Sequence, residues 1–227
     1  MKSEKKRLLA LALSVILAIS LLISLPSCNR RYDEDEVIAA AEELLRGAEI
    51  LNSVYYGKGI AYRTTGYSNG AYYEADPMHL KTLGFETIAE LQVLTEKTFT
   101  DGYSIQIYDT LLSSVSDDDG LYHMARYYQH VDVDDPREPV CIMVYGGYKG
   151  IFDDNLTYDY SSLAVSGVNR ERVYVTVNAE VRDDEGRSQT TEIRITLIEE
   201  DDGWRIDGPA WANYNSSQDR YDDLTGK

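Results

Sequence analysis

The chain has 227 residues, 43% of them hydrophobic and 11% aromatic, and carries 22 Lys and Arg against 39 Asp and Glu, a formal charge of -17. So acidic a surface repels phosphate backbones and anionic headgroups, which excludes nucleic-acid binding and a polybasic membrane patch. The apolar content is too high for a disordered chain, the length suits one domain or two small ones, and two Cys are too few for a disulfide scaffold or a four-cysteine zinc ribbon.

Lys2, Lys5, Lys6 and Arg7 form a basic start, and an aliphatic run from Leu8 to Leu25, with a few Ser, comes directly after it. This is the layout of a secretory signal. The run ends in Leu25-Pro26-Ser27-Cys28, which resembles the lipobox of bacterial lipoproteins, although Pro26 departs from the usual middle residue. That resemblance implies cleavage after residue 27, a lipid on Cys28, and a chain held on the extracytoplasmic face of the bacterial membrane. The same run is just long enough to span a bilayer as an uncleaved anchor, and either arrangement puts the rest of the chain outside the cytoplasm. Removing residues 1–27 takes away four basic side chains and one acidic one, so the remainder is more acidic still.

Residues 28–36 read as an acidic spacer. Within Glu34 to Tyr56, Val37, Ala41, Leu44, Ala48, Leu51 and Tyr55 recur at steps of four and three, and Ile38 and Leu45 widen the stripe, which predicts one long amphipathic helix. Gly57-Lys58-Gly59 stops it. Ile60 to Tyr73 is rich in Tyr, is broken by Gly66 and Ser68-Asn69-Gly70, and predicts a short hairpin or ordered loop. Thr87 to Glu90 has capping-box spacing and opens a second helix that ends near Phe99, with Ile88, Leu91, Val93 and Leu94 as its buried side. A third helix is predicted from Tyr103 to Ser113 with Asp101 as its cap.

After Asp117-Asp118-Asp119-Gly120 the apolar period changes from about 3.6 to about 2. Strands are expected at Leu121 to Gln129, Val140 to Tyr145, Tyr158 to Ser166, Arg172 to Arg182, Thr190 to Glu199 and Trp204 to Asp207. The clearest sets Val173, Val175, Val177, Ala179 and Val181 on one face. Asp183 to Gly186 and Asp201-Asp202-Gly203 serve as turns. Helices first and a meander afterwards predict an α+β domain over 37–214, with N-terminal helices packed on one face of a curved antiparallel β-sheet, and a polar tail at 215–227.

For metal chemistry the ligands are poorly spaced. His79, His123 and His130 are scattered, and the last two, if they share a strand, point to opposite faces. The acidic runs at 117–119 and 132–135 lack the ligand spacing of a calcium loop and read as solvated turns. Cys141 lies in an apolar run with no His or cation close to it in sequence, and reads as a small buried hydrophobe. No catalytic residue, metal or cofactor is assigned. The nineteen Tyr include the adjacent pairs Tyr55-Tyr56, Tyr72-Tyr73 and Tyr127-Tyr128. In an extended stretch one ring of a pair enters the core while the other faces solvent, where it suits recognition of peptides or sugars.

Ala71-Tyr72-Tyr73-Glu74, then Phe85 to Leu91 leading to Lys97-Thr98-Phe99-Thr100, then Gly120-Leu121-Tyr122 and the closing Asp202 to Asp207 together resemble the secreted DL-endopeptidase inhibitor family, the IseA-like proteins, over roughly residues 37–212. The resemblance implies a cystatin-like or nuclear-transport-factor-2-like fold and a protein that inhibits cell-wall hydrolases acting on peptidoglycan stem peptides, and a monomer is expected. Those peptides are anionic, so an acidic protein competes for the same groove. Asp117, Asp118, Asp119, Asp132, Asp134 and Asp135 are the expected contacts with a cell-wall hydrolase or other envelope protein. The alternative is a small-ligand-binding protein or small enzyme of the same superfold, with a cavity between helices and sheet.

Overall fold

A computed structural model describes residues 32–116, 122–131, 140–148, 150, 156–182 and 188–210. The chain is mixed α+β, with its helices in the N-terminal half and antiparallel strands pairing in two four-stranded sheets.

Helix α1 runs from Glu34 to Tyr56. Asp33 caps it by accepting from the Asp35 and Glu36 amides, and three acidic residues fill the first turn, where the helix dipole favours them. The predicted stripe is buried from Val37 to Tyr55 except for half-buried Ile38, and Asn52, Val54 and Tyr56 join it, so the C-terminal half is enclosed on nearly all sides. Gly57 ends the helix, its N–H reaching Asn52 O and Ser53 O, and Gly59 follows at φ 79°. A Cβ at Gly59 would meet the side chains of Arg126 and Tyr127, so this turn needs glycine for both conformation and space.

Strands β1 (Ser68–Asn69) and β2 (Tyr72–Glu74) form the expected hairpin. Helix α2 (Pro77–Leu83) is next, with Asp76 as its cap, Pro77 in its first turn and Gly84 left-handed at its end. Helix α3 spans Ile88–Thr98. Thr87 accepts from the Glu90 amide, and the Glu90 carboxylate reaches back to the Glu86 amide. Its buried side corrects the sequence reading: Val93 is exposed, and Thr95 and Thr98 are buried beside Leu91. Both threonines turn their hydroxyls onto carbonyls one turn back, Leu91 O and Leu94 O, which makes them acceptable inside. Thr100, not Asp101, caps α4 (Asp101–Ile107), which widens into a π-helical turn at Tyr108–Leu112.

β3 (Val115–Ser116) pairs with β4 (Tyr122–His123). β5 (Tyr127–His130) and β6 (Cys141–Tyr145) join the first hairpin in a sheet of order β1-β2-β6-β5. The strand expected over Leu121 to Gln129 is therefore two, in different sheets. The break falls where the Arg126 amide bonds Leu111 O and its buried guanidinium turns towards the end of α1. β7 (Leu156–Asn169), β8 (Arg172–Arg182), β9 (Ser188–Glu200) and β10 (Gly203–Ile206) form the second sheet in sequence order. One face of it carries Val173, Val175, Val177 and Ala179 opposite Leu197, Ile195, Ile193 and Thr191, and all but Thr191 are buried. Helix α1 contacts both outer strands, β7 and β10. The expectation of one sheet is corrected, among the described residues, to two four-stranded sheets and the separate β3–β4 ladder; alternation shows which side chains share a face, whereas pairing depends on contacts distant in sequence.

Candidate functional site

The acidic residues singled out by sequence, Asp117, Asp118, Asp119, Asp132, Asp134 and Asp135, and the expected lipid site Cys28, lie outside the described residues. The strands flanking each acidic run are paired neighbours. Ser116 faces Tyr122 across the β3–β4 ladder, and His130 faces Cys141 across β5–β6.

The register divides the first sheet into two faces. Tyr127 with Val144, Gln129 with Ile142 and Tyr73 with Val144 share one face. Tyr127, Ile142 and Val144 are buried there, the Tyr127 hydroxyl donates to Val54 O of α1 at 2.6 Å, and Gln129 Oε1 accepts from the Ile88 amide of α3 at 3.1 Å. This face seats on the helices. Arg126 completes the seat by donating to Tyr55 O and, at 2.7 Å, to Gly57 O, with the Tyr148 ring centroid 3.8 Å from its guanidinium carbon. These are carbonyls that the end of a helix leaves without partners, and a cation opposite them also complements the helix dipole.

The other face carries Tyr72, Glu74, Met143, Tyr145, Tyr128, His130 and Cys141. Tyr67 joins them because its carbonyl accepts from the Glu74 amide one register step before β1. Tyr72 is the buried centre, its hydroxyl donating to Ala125 O at 2.7 Å. The Tyr128 ring meets it edge-on at 4.9 Å, and the Tyr145 ring lies tilted at 5.5 Å. His130 lies 4.8 Å from the Tyr67 ring and 6.5 Å from Tyr128. Tyr67, Tyr128, Tyr145 and His130 are each half-buried, so every ring presents part of its surface. Mutual ring contacts hold them in place, which lowers the entropy lost when a partner docks. At the sheet edge Tyr62, exposed, stacks on Tyr73 with centroids 5.0 Å apart.

The charged groups here are engaged. Glu74 pairs with Arg63 and accepts from the Tyr67 amide at 3.1 Å, and a Cβ at Gly66 would come within 2.6 Å of its carboxylate. The loop before β1 is thus clamped against the sheet. Burial, and secondarily the Glu74 charge, push the Cys141 thiol up, while Arg63 pulls it down. That thiol therefore stays protonated at neutral pH and is not an activated nucleophile. The sequence reading left Cys141 without a neighbouring His; His130 is its direct partner across the ladder. The two are eleven positions apart across a hairpin link, and only the register brings them together. His123, on β4, belongs to another sheet.

No protein-family model, curated protein or solved structure matches this chain. Among the described residues, no three His, Cys, Asp or Glu side chains converge on a common point, and no helix is long and apolar enough to cross a membrane. The arrangement offers rigid aromatic faces with hydroxyl and imidazole edges, which suits binding by stacking and hydrogen bonding.

Proposed function

We propose that the chain is a non-catalytic recognition module of the bacterial cell envelope, tethered by a lipid on Cys28, which binds and inhibits a peptidoglycan DL-endopeptidase. The observation that carries this reading is the half-exposed face of Tyr67, Tyr128, Tyr145 and His130, backed by a sheet whose opposite side is fixed to the helices. Aromatic anchors of this kind supply most of the energy at protein interfaces. The acidic run at 132–135 and the net negative charge of the chain supply negative potential that steers the module towards a groove adapted to anionic stem peptides. The order of helices followed by antiparallel strands supports a cystatin-like arrangement.

Inhibition assays against DL-endopeptidases, at low and at physiological salt, test the reading. Slowing of cleavage that weakens with salt is expected, and full hydrolase activity at low salt contradicts it. Replacing Asp132, Asp134 and Asp135 by Asn should slow association about tenfold and flatten the salt dependence.

A second reading, a small-ligand-binding protein, is favoured by one observation. Asn52 on α1 has both polar atoms of its carboxamide buried without a hydrogen-bond partner among the described residues. Buried polar groups are normally paired, so an orphaned carboxamide within the helical layer suits a polar guest. Asn52→Leu should abolish saturable uptake of that guest while leaving hydrolase inhibition intact.

A further inference from the structure

Three residues whose donors suit a soft metal ion share the aromatic face in adjacent register positions. The Cys141 sulfur is 3.6 Å from the Met143 sulfur, the two side chains standing two residues apart on β6. His130 faces Cys141 directly across the β5–β6 ladder, on the same side of the sheet. Directly opposed side chains have their Cβ atoms about 5 Å apart, within reach of an imidazole nitrogen.

We propose that Cys141, Met143 and His130 form a site for one monovalent copper ion. Thiolate and thioether sulfur select soft ions, and imidazole completes a three-coordinate set. With metal–sulfur bonds of about 2.3 Å, sulfurs at this separation subtend roughly 100° at a shared ion, so neither has to move far. The imidazole has two nitrogens; one takes the metal while the other keeps a hydrogen-bond partner, as bound histidines usually do. On binding, the ion gains bonds to thiolate, thioether and imidazole, the thiol proton leaves to solvent, and copper stays monovalent, so no electron is transferred. Cys141 is half-buried, which gives the ion a route in from the surface, and Met143 is fully buried, so its thioether meets the ion away from water. Zinc finds one thioether and only two donors it favours, and should not be retained.

The test uses the full-length chain carrying Cys28→Ser, so that Cys141 is its only thiol, in detergent micelles under anaerobic conditions. Monovalent copper is titrated in competition with a chromogenic copper chelator. One ion per chain is expected, with affinity lowered about 100-fold by Cys141→Ser and about tenfold by Met143→Leu. Met143→Leu conserves volume and keeps the fold intact. A second readout needs no variant at those positions: of the methyl resonances of the four Met, that of Met143 should shift on saturation with copper. Equal affinity in Met143→Leu, a stationary Met143 methyl resonance at saturation, or no copper held against the chelator overturns the proposal.

Discussion

Arg126 is buried with its guanidinium against the carbonyl end of α1 and under the ring of Tyr148. Arg126→Leu removes the guanidinium donors from Gly57 O and from Tyr55 O, the latter keeping only the Tyr148 hydroxyl, and should lower stability by about 2–4 kcal/mol in urea unfolding, with Arg126→Lys recovering only part, because an ammonium cannot reproduce the two-pronged geometry. Cys141 offers a second check at this scale. Since burial raises its pKa, less thiolate is present at any given pH than in a free thiol, so in the chain carrying Cys28→Ser the alkylation rate should rise at higher pH than that of a reference thiol. A rise at lower pH contradicts the assigned environment. Neither role is legible in the sequence. Arg126 sits in a Tyr-rich run that reads as ordinary strand, and its anchoring depends on carbonyls about seventy positions earlier. The alternation rule does reach the Tyr pairs: Tyr127 and Tyr72 are buried while Tyr128 and Tyr73 are half-buried. It fails for Tyr55 and Tyr56, both buried, because they lie on a helix enclosed from nearly all sides.

The long helix is legible because its four-and-three spacing extends over six turns and a glycine pair ends it. Its close approach to α3 is less so. At Gly47, where α1 meets α3, a Cβ would come within 2.7 Å of the Thr98 hydroxyl. Alanine gains up to about 1 kcal/mol of helix propensity, but forcing apart two packed helices costs about 1–3 kcal/mol. Gly47→Ala should therefore lower the unfolding midpoint, and a raised midpoint means the helices have room to separate. Helix α2 escapes a periodicity reading because Leu80 is its one buried residue. What marks it is chemistry at its ends, Asp76-Pro77 and Gly84. β8 and β9 are plain in sequence since apolar residues alternate from Val173 to Val181 and from Ile193 to Leu197, whereas β4 and β5 are short and separated by the turn at Arg126.

Across the whole molecule, tyrosine links stability to pH. Tyr55, Tyr108, Tyr158 and Tyr160 all have raised pKa values, with burial the largest cause in each. In the unfolded chain the same phenols ionise near pH 10. The folded state holds them neutral, so their contribution is complete below about pH 10 and declines as pH rises above it. The urea midpoint at about pH 11 should fall well below that at about pH 8, in step with phenolate absorbance. With one four-stranded sheet seated on the helix ends and the other contacted by α1, the aromatic face of the first is the proposed surface for a partner. Oxidative footprinting of tyrosines in the presence of a DL-endopeptidase tests that claim most directly, with Tyr174 of the second sheet as internal reference. Protection of Tyr67, Tyr128 and Tyr145 with Tyr174 unchanged is the predicted result. Equal oxidation of all four with and without the bound enzyme would contradict it.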